Sequence, residues 1–247
     1  MSENYILDFN GDYEDYPNFT HFNCSQVLGS RLICSDEAQE RLNQLIAHHG
    51  ISGVHFLDSG DYHYITKLMC DQIPEPFDLV LFDHHTDMKD AVFGEMLTCG
   101  DWVRNCIEEN SQLHQVIVAG PSQKAFQQVD FHSQKLKAIT EEDFMSHKAT
   151  AKLAYYQSDL PLYLSVDKDI LTKKDAVTNW NQGQLDISTL QQSLRQVLSH
   201  QRLIGADICG MPEEEYPSLA EQLKAEQINR QSDEKIVQTI QPYLKVS

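Results

Sequence analysis

Residues 79–87 read Leu79-Val80-Leu81-Phe82-Asp83-His84-His85-Thr86-Asp87. Four consecutive apolar residues suit a strand buried on both faces, as in a parallel sheet. The chain then passes at once into carboxylates and imidazoles. In an open parallel sheet, functional groups gather just beyond the C-terminal strand ends, and two other stretches have the same form. Val54-His55-Phe56-Leu57 runs into Asp58-Ser59-Gly60-Asp61-Tyr62-His63, and Leu162-Tyr163-Leu164-Ser165-Val166 runs into Asp167-Lys168-Asp169. Three buried strands that surface into such clusters predict an α/β fold, three-layer αβα with a mostly parallel central sheet, in which the clusters converge on one site.

The flanking sequence keeps this rhythm of short apolar runs and amphipathic stretches. Further strands are expected over Tyr5 to Phe9, Val116 to Ala119 and Leu203 to Ala206, with the second and third cluster-bearing strands spanning Phe77 to Phe82 and Leu160 to Val166. A long polar loop is expected after Phe9. Ser35-Asp36-Glu37 has the chemistry of a helix start; Ala38, Leu42, Leu45 and Ile46 keep helical spacing, and Gly50 ends the run. Trp102 to Glu109 reads as a helix, as does the segment carrying Leu190, Leu194, Val197 and Leu198. From Pro217 the tail is helical and charged, and Pro242 closes it. Residues 122–137 carry the weakest periodicity. With no repeat, low-complexity tract or linker, residues 1–247 read as a single domain.

Charge narrows the function classes. The chain has 37 Asp and Glu against 19 Lys and Arg, a formal net charge of -18. Nucleic acid and anionic membrane surfaces both need clustered basic residues, so neither is an expected partner; a small-molecule substrate is. No segment approaches the roughly 18 to 20 apolar residues of a spanning helix, and the acidic N-terminus has no signal-like apolar run. Six scattered cysteines (Cys24, Cys34, Cys70, Cys99, Cys106, Cys209) without a CxxC pair read as reduced thiols. A cytoplasmic location is the expectation.

The chemistry follows from spacing. Asp83, His85 and Asp87 alternate, so on an extended chain their side chains share one face. Singly, each reads as a solvated turn residue or a helix cap. Together they crowd two carboxylates and an imidazole, which calls for a counter-charge such as a divalent cation. Asp167 and Asp169 repeat the pattern, and His63 adds a second imidazole, with Asp61 as the substitute if Tyr62 displaces it. Four carboxylates and two imidazoles suit two divalent ions, with Mn(II) favoured by the oxygen-rich set and Zn(II) as the alternative. Two ions sharing a water lower its pKa, and a metal hydrolase is the natural reading.

These residues carry a family resemblance. Phe82-Asp83-His84-His85-Thr86-Asp87 resembles the DAHTD motif of the arginase, agmatinase and formiminoglutamase (ureohydrolase) family. Ser165-Val166-Asp167-Lys168-Asp169 resembles its SxDxD motif, and Ser59-Gly60-Asp61-Tyr62-His63 its GGDH motif with one residue inserted. The resemblance spans about Val54 to Pro212. It implies that His63 and Asp87 bind one ion, His85 and Asp169 the other, and that Asp83 and Asp167 bridge them. It also implies Mn(II), hydrolysis of C–N bonds in guanidino or related amidino groups, and frequent homo-oligomers.

The departures concern substrate. Cys99, in Leu97-Thr98-Cys99-Gly100, stands where arginases carry a proton-shuttling histidine. Gly210, in Asp207-Ile208-Cys209-Gly210, stands where the family places a guanidinium-binding glutamate, with Glu213, Glu214 and Glu215 nearby as substitutes or as a solvated turn. Thr172 and Lys173 replace an Asp-Pro pair. Cys99 and Asp101 are the candidate catalytic groups for protonating the leaving nitrogen; Cys99 also reads as inert apolar filler. Cys209 reads as core packing, His84 as packing against the sheet, and His48 and His49 as surface residues at a helix end. The Asn10-Gly11-Asp12-Tyr13 loop is a candidate border of the pocket. The expected function is a dinuclear metal hydrolase of a small C–N-bonded substrate other than arginine. Two alternatives are a mononuclear zinc amidohydrolase like the histone or polyamine deacetylases, and a non-catalytic protein that keeps the metal. The four-residue step from Asp83 to Asp87 favours the arginase-like spacing.

Overall fold

The structure is a computed structural model that describes residues 3–11, 13, 16–90, 94, 96–212 and 216–244. In chain order its elements are β1 (Tyr5–Asp8), β2 (Thr20–Asn23), β3 (Ile33–Cys34), α1 (Asp36–His49), β4 (Val54–Phe56), α2 (Ile65–Cys70), β5 (Phe77–Phe82), β6 (Leu97–Thr98) and α3 (Trp102–Glu109). They continue with β7 (Leu113–Ala119), α4 (Gln123–Gln127), β8 (Leu136–Ile139), α5 (Glu141–Met145), α6 (Ala149–Tyr155), β9 (Leu162–Asp167), α7 (Ile187–Leu198), β10 (Leu203–Cys209) and α8 (Leu219–Ile240).

Eight strands form one sheet in the order β2-β1-β4-β10-β9-β5-β7-β8, and every neighbouring pair is parallel. Side chains alternate between two cores, as strand geometry requires. On β5, Leu79 and Leu81 enter the core shared with Leu42, Leu68 and Cys106 of α1, α2 and α3. Val80 and Phe82 enter the opposite core with Leu153, Leu190, Leu194 and Ile236 of α6, α7 and α8. Because both faces are covered, Leu79 to Phe82 is a continuous apolar run. This is the expected three-layer arrangement. No helix among the described residues is long and apolar enough to cross a membrane.

Local chemistry accounts for the boundaries. Ser35 accepts a hydrogen bond from the Ala38 amide at the start of α1, and the Gly50 amide closes the last turn on the Ile46 carbonyl. Several elements depart from expectation. The polar loop after Phe9 contains β2, which pairs with β1 from Tyr5↔Thr20 to Asp8↔Asn23. Thr-His-Phe-Asn has no apolar alternation because it is an exposed edge strand, held by its backbone ladder and not by burial. Within 122–137 the structure has α4 and the start of β8. A short antiparallel ribbon of β3 and β6 also ties the approach to α1 to the approach to α3.

The strand order creates the site. The chain passes from β4 to β5, yet β10 and β9 lie between them. The C-terminal ends of four adjacent strands, β4, β10, β9 and β5, thereby face one crevice, as at a topological switch point.

Candidate metal centre

Asp83 follows directly on β5 and its amide bonds the Ala119 carbonyl. The next residues are not extended. The His85 amide donates to Asp83 Oδ1 at 2.5 Å, an Asp-centred turn, and Asp87 has φ +50°. The three side chains of 83, 85 and 87 therefore converge through a turn, which corrects the strand-face expectation. Partners outside the turn complete it. The Asp169 carboxylate accepts from the His84 amide at 2.9 Å and meets His85 Nδ1 at 2.7 Å. Trp102 Nε1 donates to Asp87 Oδ2 at 2.7 Å. On the neighbouring strand end, the Asp169 amide donates to Asp167 Oδ1 at 2.8 Å.

His63 arrives from β4 by a 3-10 turn over Gly60–Tyr62, which absorbs the inserted Tyr62. Its Nδ1 lies 3.2 Å from Asp83 Oδ2, 3.4 Å from Asp87 Oδ2 and 3.5 Å from Asp167 Oδ2. The opposite ring nitrogen contacts Ser165 Oγ at 2.9 Å, and Ser165 donates to Asp207 Oδ1 at 2.7 Å. Gly60 lets this happen: a Cβ there would lie 2.9 Å from Trp180 and 3.1 Å from Asp167 Oδ2.

Ligand-capable atoms fall into compact groups. His63, Asp83 and Asp87 form one, and Asp83, His85 and Asp169 a second, each with its atoms within 4.8 Å of one another. A third joins His63, Asp167 and Cys209. Like charge crowds the site. Burial, then the Asp83 charge, pushes Asp87 up to about 6, and burial with the charges of Asp167 and Asp83 holds Asp169 well above the carboxylate range. Burial also works against a charged His85, but Asp169 and Asp83 outweigh it and lift the ring to about 11. Asp83 Oδ2 is buried and accepts no hydrogen bond. Four carboxylates against two imidazoles stay net negative even with both rings protonated, so the donor set fits divalent cations.

A cavity of about 560 Å³ opens over these groups, walled by His84, Lys89, Cys99, Gln128 and Trp180. Of the two candidate proton donors, Cys99 lines it and Asp101 does not. Asp101 instead accepts from the Thr98 amide at 2.9 Å and from Asn105 Nδ2 at 3.2 Å, organising the entry to α3. Burial, then the Asp87 and Asp61 charges, pushes Cys99 up to about 12, so it stays a thiol. Asp61 is no substitute ligand: Arg31, Trp180 and Asn179 occupy its carboxylate at 3.0, 2.8 and 3.0 Å. His84 lies on the cavity wall with its Nδ1 buried and unbonded, a correction to its assignment to sheet packing. Cys209 packs in the core yet also reaches Asp167 Oδ2 at 3.2 Å.

A carboxylate at 210 is sterically excluded in this backbone. Gly210 has φ +100°, and a Cβ would lie 2.7 Å from Asp167 Oδ1. Glu213, Glu214, Glu215 and Asp12 lie outside the described residues; Asn10, from the same loop as Asp12, bonds Asp58 and does not line the cavity. His48 is exposed, whereas His49 is part-buried against Glu3 at 3.1 Å.

Sequence reasoning missed Trp180, the pairing of Lys168, and the roles of Ser165 and Asp207, which it quoted only as motif residues. The Lys168 ammonium, between two site carboxylates in sequence, is buried on Asp233 of α8 at 2.7 Å. Nothing in the spacing of single polar residues signals such partners.

Comparison with known proteins agrees with this architecture. The arginase family model matches residues 20–240. The chain belongs to the arginase family. A Thermotoga maritima protein described as an uncharacterized protein is 30% identical over 213 residues, covering 85% of this arginase-family chain and 80% of its own. Agmatine ureohydrolase of Thermoplasma volcanium superposes with a TM-score of 0.59 at 15% identity, over 96% of this chain and 92% of that one. A triple-mutant arginase-like protein of T. brucei bound with Mn2+ has a TM-score of 0.54 at 18% identity, over 100% and 82%. These likenesses share the arginase-family fold.

Proposed function

We propose that this arginase-family chain is a dinuclear metal-dependent hydrolase of a C–N bond in a small amidino, guanidino or amide compound other than arginine. The observation that carries the reading is the pair of donor triads that share Asp83. His63 and Asp87 would hold one ion, His85 and Asp169 the other, with Asp83 and Asp167 serving both. Divalent ions held there would supply a water of lowered pKa and Lewis-acid polarisation of the substrate.

The chain's own residues do the rest. Ser165 and Asp207 fix the ring of His63 so that Nδ1 faces the carboxylates. Trp102 holds Asp87, and Asp61 holds Trp180 at the cavity wall, 5.8 Å between ring centres from His85. Cys99, which lines the cavity, keeps its thiol proton at neutral pH and is the group this reading assigns to protonating the leaving nitrogen. Gly210 in place of a carboxylate argues against arginine. The substrate is a small molecule, the charge of -18 argues against nucleic acid, and the oligomer common in the family carries over as part of this reading.

Elemental analysis of protein purified with and without added Mn(II) tests it. Two ions per chain are expected, falling to one or none in Asp83→Ala and Asp167→Ala with unchanged circular dichroism, alongside turnover of an amidino or amide compound. One zinc per chain with deacetylase activity would favour the mononuclear reading. Two ions with no turnover across such compounds would favour a non-catalytic metal protein. No metal in either preparation would sink the proposal.

A further inference from the structure

We infer that Cys209 is a thiolate ligand of the ion held by His63, so that the two metal positions differ in softness and take different ions. This rests on the dinuclear reading above and adds a donor that reading does not use.

The placement of Cys209 is set by the sheet. It is the last residue of β10, and in the parallel ladder it stands directly opposite Asp167, the last residue of β9. Paired residues on neighbouring strands project from the same face, so the thiol and the carboxylate lie side by side, Asp167 lining the cavity and Cys209 buried in the adjoining core. Sγ lies 3.2 Å from Asp167 Oδ2, and His63 completes a triad whose donor atoms all fall within 4.8 Å. All three side chains are buried. A second observation comes from the adjoining group that shares His63: Asp83 Oδ2 is buried with no hydrogen bond, its one polar neighbour among those named above being His63 Nδ1 at 3.2 Å.

The two positions then have different chemistry. The His85 position offers an imidazole and the carboxylates of Asp83 and Asp169, a set suited to Mn(II). The His63 position adds sulfur, and thiolate with imidazole selects borderline-soft ions such as Zn(II) or Co(II). The thiol donates to Asp167 Oδ2; as a ligand it would release that proton to solvent and offer the sulfur to the ion. The other cysteines among the described residues join no such group, and Cys99, although it lines the cavity, joins none of the triads.

Cobalt titration of the metal-free full chain reads this directly, because a thiolate ligand adds a strong near-ultraviolet charge-transfer band to the weaker ligand-field bands. The band is expected in the wild type and in Cys99→Ser, and absent in Cys209→Ser with ligand-field bands retained. With equimolar Zn(II) and Mn(II), the wild type should take one of each, and Cys209→Ser should lose at least about tenfold of its zinc preference. Two bound cobalt ions without the band overturn the role of Cys209 and leave the dinuclear reading standing. No bound cobalt overturns both. Should Cys209→Ser fail to fold, the wild type and Cys99→Ser still decide: a band lost in Cys99→Ser assigns the sulfur to Cys99 and refutes the inference.

Discussion

Asp233→Asn should destabilise the protein far more than a surface substitution on α8. The side chains of Lys168 and Asp233 are both 0% exposed, with 2.7 Å between Nζ and Oδ1. Tyr16 donates to the second carboxylate oxygen at 2.6 Å, and Met211 Sδ is the other neighbour of the ammonium at 3.3 Å. Removing the carboxylate charge leaves a buried ammonium with only a thioether and a neutral amide. Breaking a buried pair from one side costs about 3–5 kcal/mol. At about 2–4 °C per kcal/mol for a chain of this size, the midpoint should fall by roughly 6–20 °C. Removing both charges in Lys168→Met with Asp233→Leu should recover most of that loss, because an apolar pair of similar volume has no desolvation cost. Calorimetry or thermal circular dichroism in a chelator separates this from metal binding, which stabilises by mass action. A double-mutant cycle then gives the coupling. A loss below about 1 kcal/mol, or additive single mutants, would refute the idea that α8 neutralises the loop between Asp167 and Asp169 in a dry interior.

Three further outcomes are expected. Burial pushes His55 down to about 4 from 6.5; the unfolded chain therefore takes up a proton first as pH falls, and stability drops between pH 6.5 and 4 by about 3 kcal/mol, at 1.36 kcal/mol per pKa unit. His55→Phe, which can keep the stacking on Tyr5 (3.9 Å between ring centres), should flatten that part of the urea-midpoint profile; coincident profiles for the two proteins would contradict it. Gly210→Ala should lose more than about 1 kcal/mol, since φ is positive and the new Cβ meets Asp167 Oδ1 at 2.7 Å, with metal content falling as well; a stable, fully metallated variant would show that the loop yields. Cys99, held at about 12, should react with iodoacetamide at pH 7.5 more slowly than a free model thiol by mass spectrometry, and fast alkylation would mean a thiolate at that wall.

Much of the architecture was legible because a parallel sheet writes itself into runs of apolar residues. Phe77–Phe82 and Trp102–Glu109 have the expected bounds, since a strand covered on both faces and a helix with one buried stripe each impose a period on the chain. The β2 strand lacked that signature because its contribution is backbone pairing at an edge. In the site, the grouping of Asp83, His85 and Asp87 was legible from spacing, but the extended geometry inferred from it was wrong. Hydrogen bonds from the His85 amide and from Asp169 bend the segment, and neither partner choice is encoded in alternation.

Sequence alone determined which residue types end the central strands, and hence the concentration of carboxylates and imidazoles at one edge of an α/β sheet. Those are local properties, read from composition and period. Tertiary structure decided which of those groups meet. The insertion of β10 and β9 between β4 and β5 brings His63, Asp83 and Asp167 together and sets Cys209 beside Asp167. Packing against α8 buries Lys168 on Asp233, while Arg31, Asn179 and Trp180 take Asp61 out of the cluster. Contacts between residues a hundred positions apart depend on strand order and register, and the burial they create, which no local period of the chain carries.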